Sequence, residues 1–163
     1  MGDFGEKKTV NNSKKEDNFK KVRHPDGGCV FCGQGFYGFF DEKNNKSYFY
    51  FTFSQDKHQG PPGHVHGGVI AIFIDEAMSF ATGNFFPCFL GKIEILYKKP
   101  VPLGVSLRIE GEVVRVEGRK VFTNGFIIHE KKSGEKDVLI QASGIYIRPK
   151  GSDGTVSLFV VED

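Results

Sequence analysis

Hydrophobic and polar residues alternate along most of the second half of the chain. "KIEILYKKPV", "SLRIEGEVVRVEG", "KVFTNGFIIHEKK" and "DVLIQASGIYIRP" each carry the period-two pattern of a strand with one buried face. The turns "VEGRK" and "KKSGEKD" are short, which makes the strands they join antiparallel neighbours. Earlier, "FYGFFDEKNNKSYFYFTFS" reads as a hairpin, with aromatic strands on either side of a polar turn from Asp41 to Lys46. Between these two regions the alternation stops. A loop with Pro61 and Pro62 leads to a helix beginning near His66, and from Val69 to Ala81 apolar residues occupy nearly every side of it. Such a helix is buried on most sides rather than laid on a surface. The pattern is therefore two strands, one helix and a long antiparallel meander. It predicts an α+β fold in which a curved antiparallel sheet wraps around one long central helix.

Composition narrows the setting. With 163 residues the chain makes one domain with a real core. Residues 1–24 form a polar, Lys- and Asn-rich segment that reads as a mobile tail with a short helix near Phe19. Residues 25–149 form the domain, reached through the turn-rich "HPDGGCVFCGQG", and 150–163 form a C-terminal extension in which "TVSLFVVED" adds an edge strand. No apolar run reaches the roughly 18 residues that span a bilayer, and the N-terminus has no apolar signal region, so a cytoplasmic location is expected. A net charge of +2 gives no strongly basic surface for nucleic acid. Cys29 and Cys32 have the spacing of half a zinc knuckle, but no second pair follows and Cys88 stands alone. They read as ordinary reduced thiols, and neither a metal nor a cofactor is expected.

The chemistry concentrates in "GPPGHVHGGVIAIFIDEAMSF", where Asp75 and Glu76 interrupt the apolar helix. Burying a carboxylate costs several kcal/mol unless it is paired or hydrogen-bonded. This stretch resembles the motif of hotdog-fold acyl-CoA thioesterases, especially the PaaI-like clade and its relatives with a "GPPG…HGG" signature. "YKKPVPLG", "VEGRK" and "ASGIYI" follow in the order of that family, "CVFCG" resembles its lead-in, and the likeness runs from Cys29 to Ile147. The resemblance implies a hotdog fold and hydrolysis of an acyl-CoA thioester to a free acid and coenzyme A. It makes the Gly67 N–H the oxyanion donor, with Gly68 shaping the turn, and Asp75 the nucleophile or the general base. Physics agrees: a helix N-terminus offers unpaired N–H groups and positive potential, and glycine admits a ligand close to the backbone. His66 is grouped with Asp75 and Gly67 as a catalytic residue. It is expected to hold the loop by donating to a nearby carbonyl, with direct proton transfer the lesser alternative. His58 and His64 read as loop residues near the site mouth. Arg119 and Lys120, in the "GR" turn, are candidates for the coenzyme A phosphates, as Lys98 and Lys99 are more weakly. Glu76 points roughly 100° away from Asp75 and reads as structural.

Gly67 and Asp75 are eight residues apart, about 12 Å along a helix. Both must reach one thioester carbon, which one helix cannot arrange. Two antiparallel helices from two subunits can, so the sequence predicts a homodimer with shared sites, or a tetramer built of two dimers. Two departures from the family pattern stand out. Gly60 occupies the place of an Asn before the motif, and "FLGK" (Leu90 to Lys92 with the preceding Phe89) lacks the Ser or Thr that orients water at the start of the next strand. Thr82 and Asn84 are the nearby substitutes. A non-catalytic acyl-CoA-binding dimer is the competing reading, and a hydroxyacyl thioester dehydratase, whose motif is absent, ranks below it.

Overall fold

A computed structural model describes residues 18–23, 31, 36–152 and 159–160. The Cys29–Cys32 pair, most of the turn-rich lead-in and the chain before Asn18 lie outside them. The strands are β1 (Lys20–Arg23), β2 (Gly38–Asp41), β3 (Lys46–Thr52), β4 (Phe89–Tyr97), β5 (Ser106–Glu117), β6 (Lys120–Glu130), β7 (Lys136–Ile147) and β8 (Phe159–Val160). A short helix, α1 (Gln55–His58), and the long helix α2 (Gly67–Ala81) lie between β3 and β4. All strands join one antiparallel sheet in the order β4-β7-β6-β5-β3-β2-β1-β8, folded around α2. This is the hotdog arrangement.

The β2–β3 turn forms because Asp41 caps it: its carboxylate accepts from the Lys43 and Asn44 backbone N–H groups at 3.0 and 3.2 Å. The helix sits against the sheet over a row of small residues. Ser47, Gly111, Gly125 and Ala142 are consecutive cross-strand partners on β3, β5, β6 and β7. A Cβ on Gly111 would stand 2.2 Å from the Ala77 carbonyl oxygen, and one on Gly125 would stand 2.9 Å from Met78 Cγ. The Ser47 hydroxyl donates to that same Ala77 carbonyl at 2.5 Å. Ile70, Phe73, Ile74, Ala77, Met78 and Phe80 fill the space between helix and sheet.

Two expectations need correction. The meander holds only for β5, β6 and β7, whereas β4 lies beyond β7 and β5 pairs with β3. The β4–β5 connection carries Pro100 and Pro102 and passes beside the helix start, where the Val65 N–H donates to the Val101 carbonyl (2.9 Å), so it makes no tight turn. The segment after Phe19 is a strand, not a helix. Its residues Lys20 to Val22 pair with Phe40 to Gly38, and the Phe19 ring meets Tyr48 edge-on at 4.8 Å, so sheet pairing overrides local preference. The helix α2 is buried on most sides, as its nearly all-round apolar pattern predicts, and opens along one side. Gly68, Ile72, Asp75 and Ser79, which fall on one stripe at 100° per residue, are not buried, and Ile72 is 49% exposed. β8 pairs with β1 at the opposite edge of the sheet. Among the described residues no helix is long and apolar enough to cross a membrane.

Candidate active site

The segment before α2 is held from both sides. His64 N–H donates to the Pro61 carbonyl (2.9 Å) across Pro62 and Gly63, whose φ of +79° is what a type II turn requires at its third position. His66 N–H donates to the His58 carbonyl at 2.8 Å. These bonds fix where the helix begins. His66 is its N-cap, and the ring Nδ1 accepts from the Gly68 N–H at 2.9 Å. The expected direction is thus reversed, because a helix start exposes donors and the ring nitrogen meets one. Gly68 therefore has its N–H engaged. The Gly67 N–H donates to no group among the described residues, and the Gly67 carbonyl accepts from the Tyr97 hydroxyl at 3.0 Å. A cleft of about 370 Å³ opens here, lined by His64, Gly67, Ile70, Tyr97, Lys98 and Lys99. Lys99 is paired with Asp137 at 2.5 Å.

About two turns further along α2, half-buried Asp75 meets Tyr146 of β7. The Tyr146 hydroxyl lies 2.5 Å from Asp75 Oδ1 and 2.9 Å from the Asp75 carbonyl oxygen. Tyr146 is 2% exposed. Burial, then the Asp75 charge beside it, raises its phenol far above the ordinary tyrosine range, so the group remains a donor. Glu76 is buried on the adjoining side of the helix, away from the open stripe.

Arg119 and Lys120 do not join Gly67. Lys120 pairs with Ile147, which pairs with Phe89 at the start of β4, whereas Tyr97, the residue that touches Gly67, ends that strand. Eight residue steps at about 3.4 Å separate these two ends by roughly 27 Å. Asp75 belongs to the Arg119 end, since its partner Tyr146 pairs with Leu90. Arg119 is exposed and donates to the Arg148 carbonyl at 3.1 Å. His58 is not at a mouth: it is buried among Phe51, Phe53 and Phe73, its Nδ1 accepts from Ser54 N–H at 2.8 Å, and burial lowers its pKa. Its ring borders a slot of about 120 Å³ walled by Phe36, Phe51, Val69, Ile72 and Phe73.

The hotdog sheet agrees with what comparison with other proteins finds. The Thioesterase superfamily profile matches residues 62–135. A Schizosaccharomyces pombe protein, uncharacterised, is 30% identical over 131 residues, 78% of this chain and 71% of its own length. The chain belongs to the thioesterase superfamily. Within that superfamily, the acyl-coenzyme A thioesterase THEM4 of Xenopus laevis is 41% identical over 69 residues, 40% of this chain. The match spans 30% of the frog protein's length, and 38% of its rat counterpart's. A thioesterase superfamily protein of known crystal structure superposes with a TM-score of 0.56 at 27% identity, covering 68% of this chain and 52% of that one.

The departures from the superfamily pattern have structural reasons. A Cβ at Gly60 would stand 2.7 Å from His66 Cα, so an Asn there would displace the helix cap. Gly91 sits in the β4 irregularity between Leu90 and Lys92. Neither proposed substitute supplies a hydroxyl or amide to Asp75: Thr82 donates to the Ser79 carbonyl, and Asn84 donates to Glu42 and Asn45. The partner is Tyr146, which the sequence reading passed over as one residue of a strand. Its signal was present: alternation puts Ala142, Gly144 and Tyr146 on the face toward the helix, and a phenol there needs an acceptor.

Proposed function

We propose that this chain hydrolyses an acyl-CoA thioester to a free acid and coenzyme A, in sites shared by two antiparallel copies. One observation carries the reading. Neither Gly67, at the start of α2, nor Asp75, about two helical turns further along, is buried, and the two are attached to opposite ends of β4. That strand is a long, unpaired edge among the described strands, and Phe89, Leu90, Leu96 and Tyr97 are 40–65% exposed along it. A flat apolar edge of this kind is a liability unless another strand covers it. Antiparallel pairing of two β4 edges about a two-fold axis brings the Asp75, Arg119 and Lys120 end of one chain to the Gly67 end of the other. The residues that one chain keeps apart are then near neighbours.

In such a site the thioester carbonyl oxygen points at the Gly67 N–H of one chain, and Asp75 of the other acts on the carbon. As a general base, Asp75 takes a proton from water while the hydroxyl attacks. The tetrahedral oxyanion is held at the helix N-terminus and then collapses, breaking the C–S bond and releasing the coenzyme A thiolate. As a nucleophile, its carboxylate attacks the carbonyl carbon and expels the coenzyme A thiolate, leaving a mixed anhydride that water opens to the free acid and the Asp75 carboxylate. Label found in Asp75 after a single turnover in ¹⁸O-water identifies this second route, since it arises only when water opens the anhydride at the aspartyl carbon. Arg119 and Lys120 supply charge for the phosphates, and the aromatic slot beside Ile72 takes the acyl group. No cofactor enters either route.

The lack of a Ser or Thr at the start of β4 favours a second reading, a dimer that binds acyl-CoA without cleaving it. Thiol release from a panel of short, medium and aryl acyl-CoAs separates the two. Turnover with at least one member is expected. Tight binding with no thiol released across the panel would establish the binder instead.

A further inference from the structure

We propose that Tyr146 is a positioning residue whose phenol O–H orients the Asp75 carboxylate and holds it as the anion that the reaction uses. The inference rests on the reading that Asp75 acts on the thioester, but its physical content is independent of turnover. Tyr146 is clamped in the sheet, paired with Leu90 on β4 and Val121 on β6. Its ring lies beside Gly144, where a Cβ would come within 3.2 Å of Tyr146 Cε2 and 2.7 Å of Thr123 Oγ1. The backbone therefore leaves room for this ring at the cost of a side chain two residues before it. From that position one hydroxyl oxygen contacts both the side-chain and main-chain oxygens of a single residue. Reaching both requires the Asp75 side chain to fold toward its own carbonyl, which selects its rotamer. The phenol carries one proton, and the charged carboxylate is the stronger acceptor for it.

Burial keeps that proton on the phenol throughout the working range, so the donor does not switch off as pH rises. A donor to the charged form favours that form, so the bond lowers the affinity of Asp75 for a proton. The geometry points to a division of labour: the hydroxyl that this superfamily pattern expects on the strand after the helix is absent, and the neighbouring strand supplies one to the carboxylate instead.

The test is Tyr146→Phe, which keeps the ring and removes only the donor. Asp75 is followed by ¹³C NMR of its carboxyl carbon, assigned by its disappearance in Asp75→Asn. Loss of the bond should raise the Asp75 pKa by about one unit. In the acyl-CoA assay kcat should fall about tenfold with KM little changed, because orientation is lost while binding is not. The acid limb of the pH–rate profile should move to higher pH with the NMR pKa. An Asp75 titration identical in both proteins overturns the proposal, whatever the activity. Should Tyr146→Phe fail to fold, the wild-type Tyr146 hydroxyl proton provides the readout: it must shift as Asp75 titrates, and an unmoved resonance overturns the proposal equally. If instead no acyl-CoA is cleaved, or Asp75→Asn stays fully active, while the NMR shift is present, the hydrolase reading fails and the Tyr146–Asp75 coupling stands.

Discussion

At the scale of single residues, the proposed chemistry rests on two groups, and each has a clean substitution. Asp75→Asn is nearly isosteric and keeps an oxygen that accepts from Tyr146, so the helix and its packing should survive. Removing a general base or nucleophile should lower kcat at least about a hundredfold. A variant with wild-type turnover and an unchanged melting temperature would remove Asp75 from the mechanism. Gly67 is the rarer case in which a backbone donor can be deleted. It is the first residue of α2, a position where proline is favoured, and the preceding His66 has φ −63° and ψ 134°, the extended geometry a residue before proline adopts. Gly67→Pro should therefore fold while losing roughly 10²–10³ in kcat, the usual effect of deleting an oxyanion donor. Gly67→Ala is the control. Its Cβ would meet Tyr97 at 3.6 Å, an ordinary contact, and the N–H stays. Similar rates for the proline and alanine variants, both shown folded by circular dichroism, would exclude the Gly67 N–H as the donor.

At the scale of elements, the helix lies where it does because the sheet has a trough for it. Ser47, Gly111, Gly125 and Ala142 form that trough across four strands, and Gly111 has least room to change. Gly111→Ala would set a Cβ against main-chain Ala77, which no side-chain rotamer can relieve, so about 1–3 kcal/mol of stability should be lost. Urea unfolding measures this, and an unchanged midpoint would mean that α2 can slide on the sheet. This level also marks what the sequence discloses. The strands β5, β6 and β7 and the helix could be read because alternation and short turns are local properties. The crossing of β4 to the far side of β7 could not, because nothing in "KIEILYKKPV" records which strand it will pair with. The glycine pair at the start of the helix and the carboxylate inside its apolar run stand out in the sequence, and their roles are what the family resemblance implies. The direction of the His66 bond depends instead on the fold around the loop. Tyr146 lies 71 residues from Asp75, so their contact exists only once β7 has joined the sheet beneath the helix.

At the scale of the whole molecule, one chain in the proposed reading holds two half-sites and no complete one. Gly67 is tied to the Tyr97 end of β4, and Asp75, through Tyr146, to the Leu90 end. Along a straight helix they stand about 12 Å apart, four times the reach of a hydrogen bond. The exposed stripe of α2 and the exposed edge of β4 meet on the same side of the chain, so a single two-fold contact can cover both. Catalysis should then be a property of the pair. Asp75→Asn and Gly67→Pro proteins, each inactive alone, should regain activity when mixed and allowed to exchange subunits. Each mixed dimer holds one intact site, made from Gly67 of the first chain and Asp75 of the second, and one site broken twice. With random exchange about half the dimers are mixed and each works at one site of two, so recovery should approach about a quarter of wild-type activity. Native mass spectrometry counts the mixed dimers, using the mass difference between the variants. Abundant mixed dimers with no recovered activity would overturn the cross-subunit site.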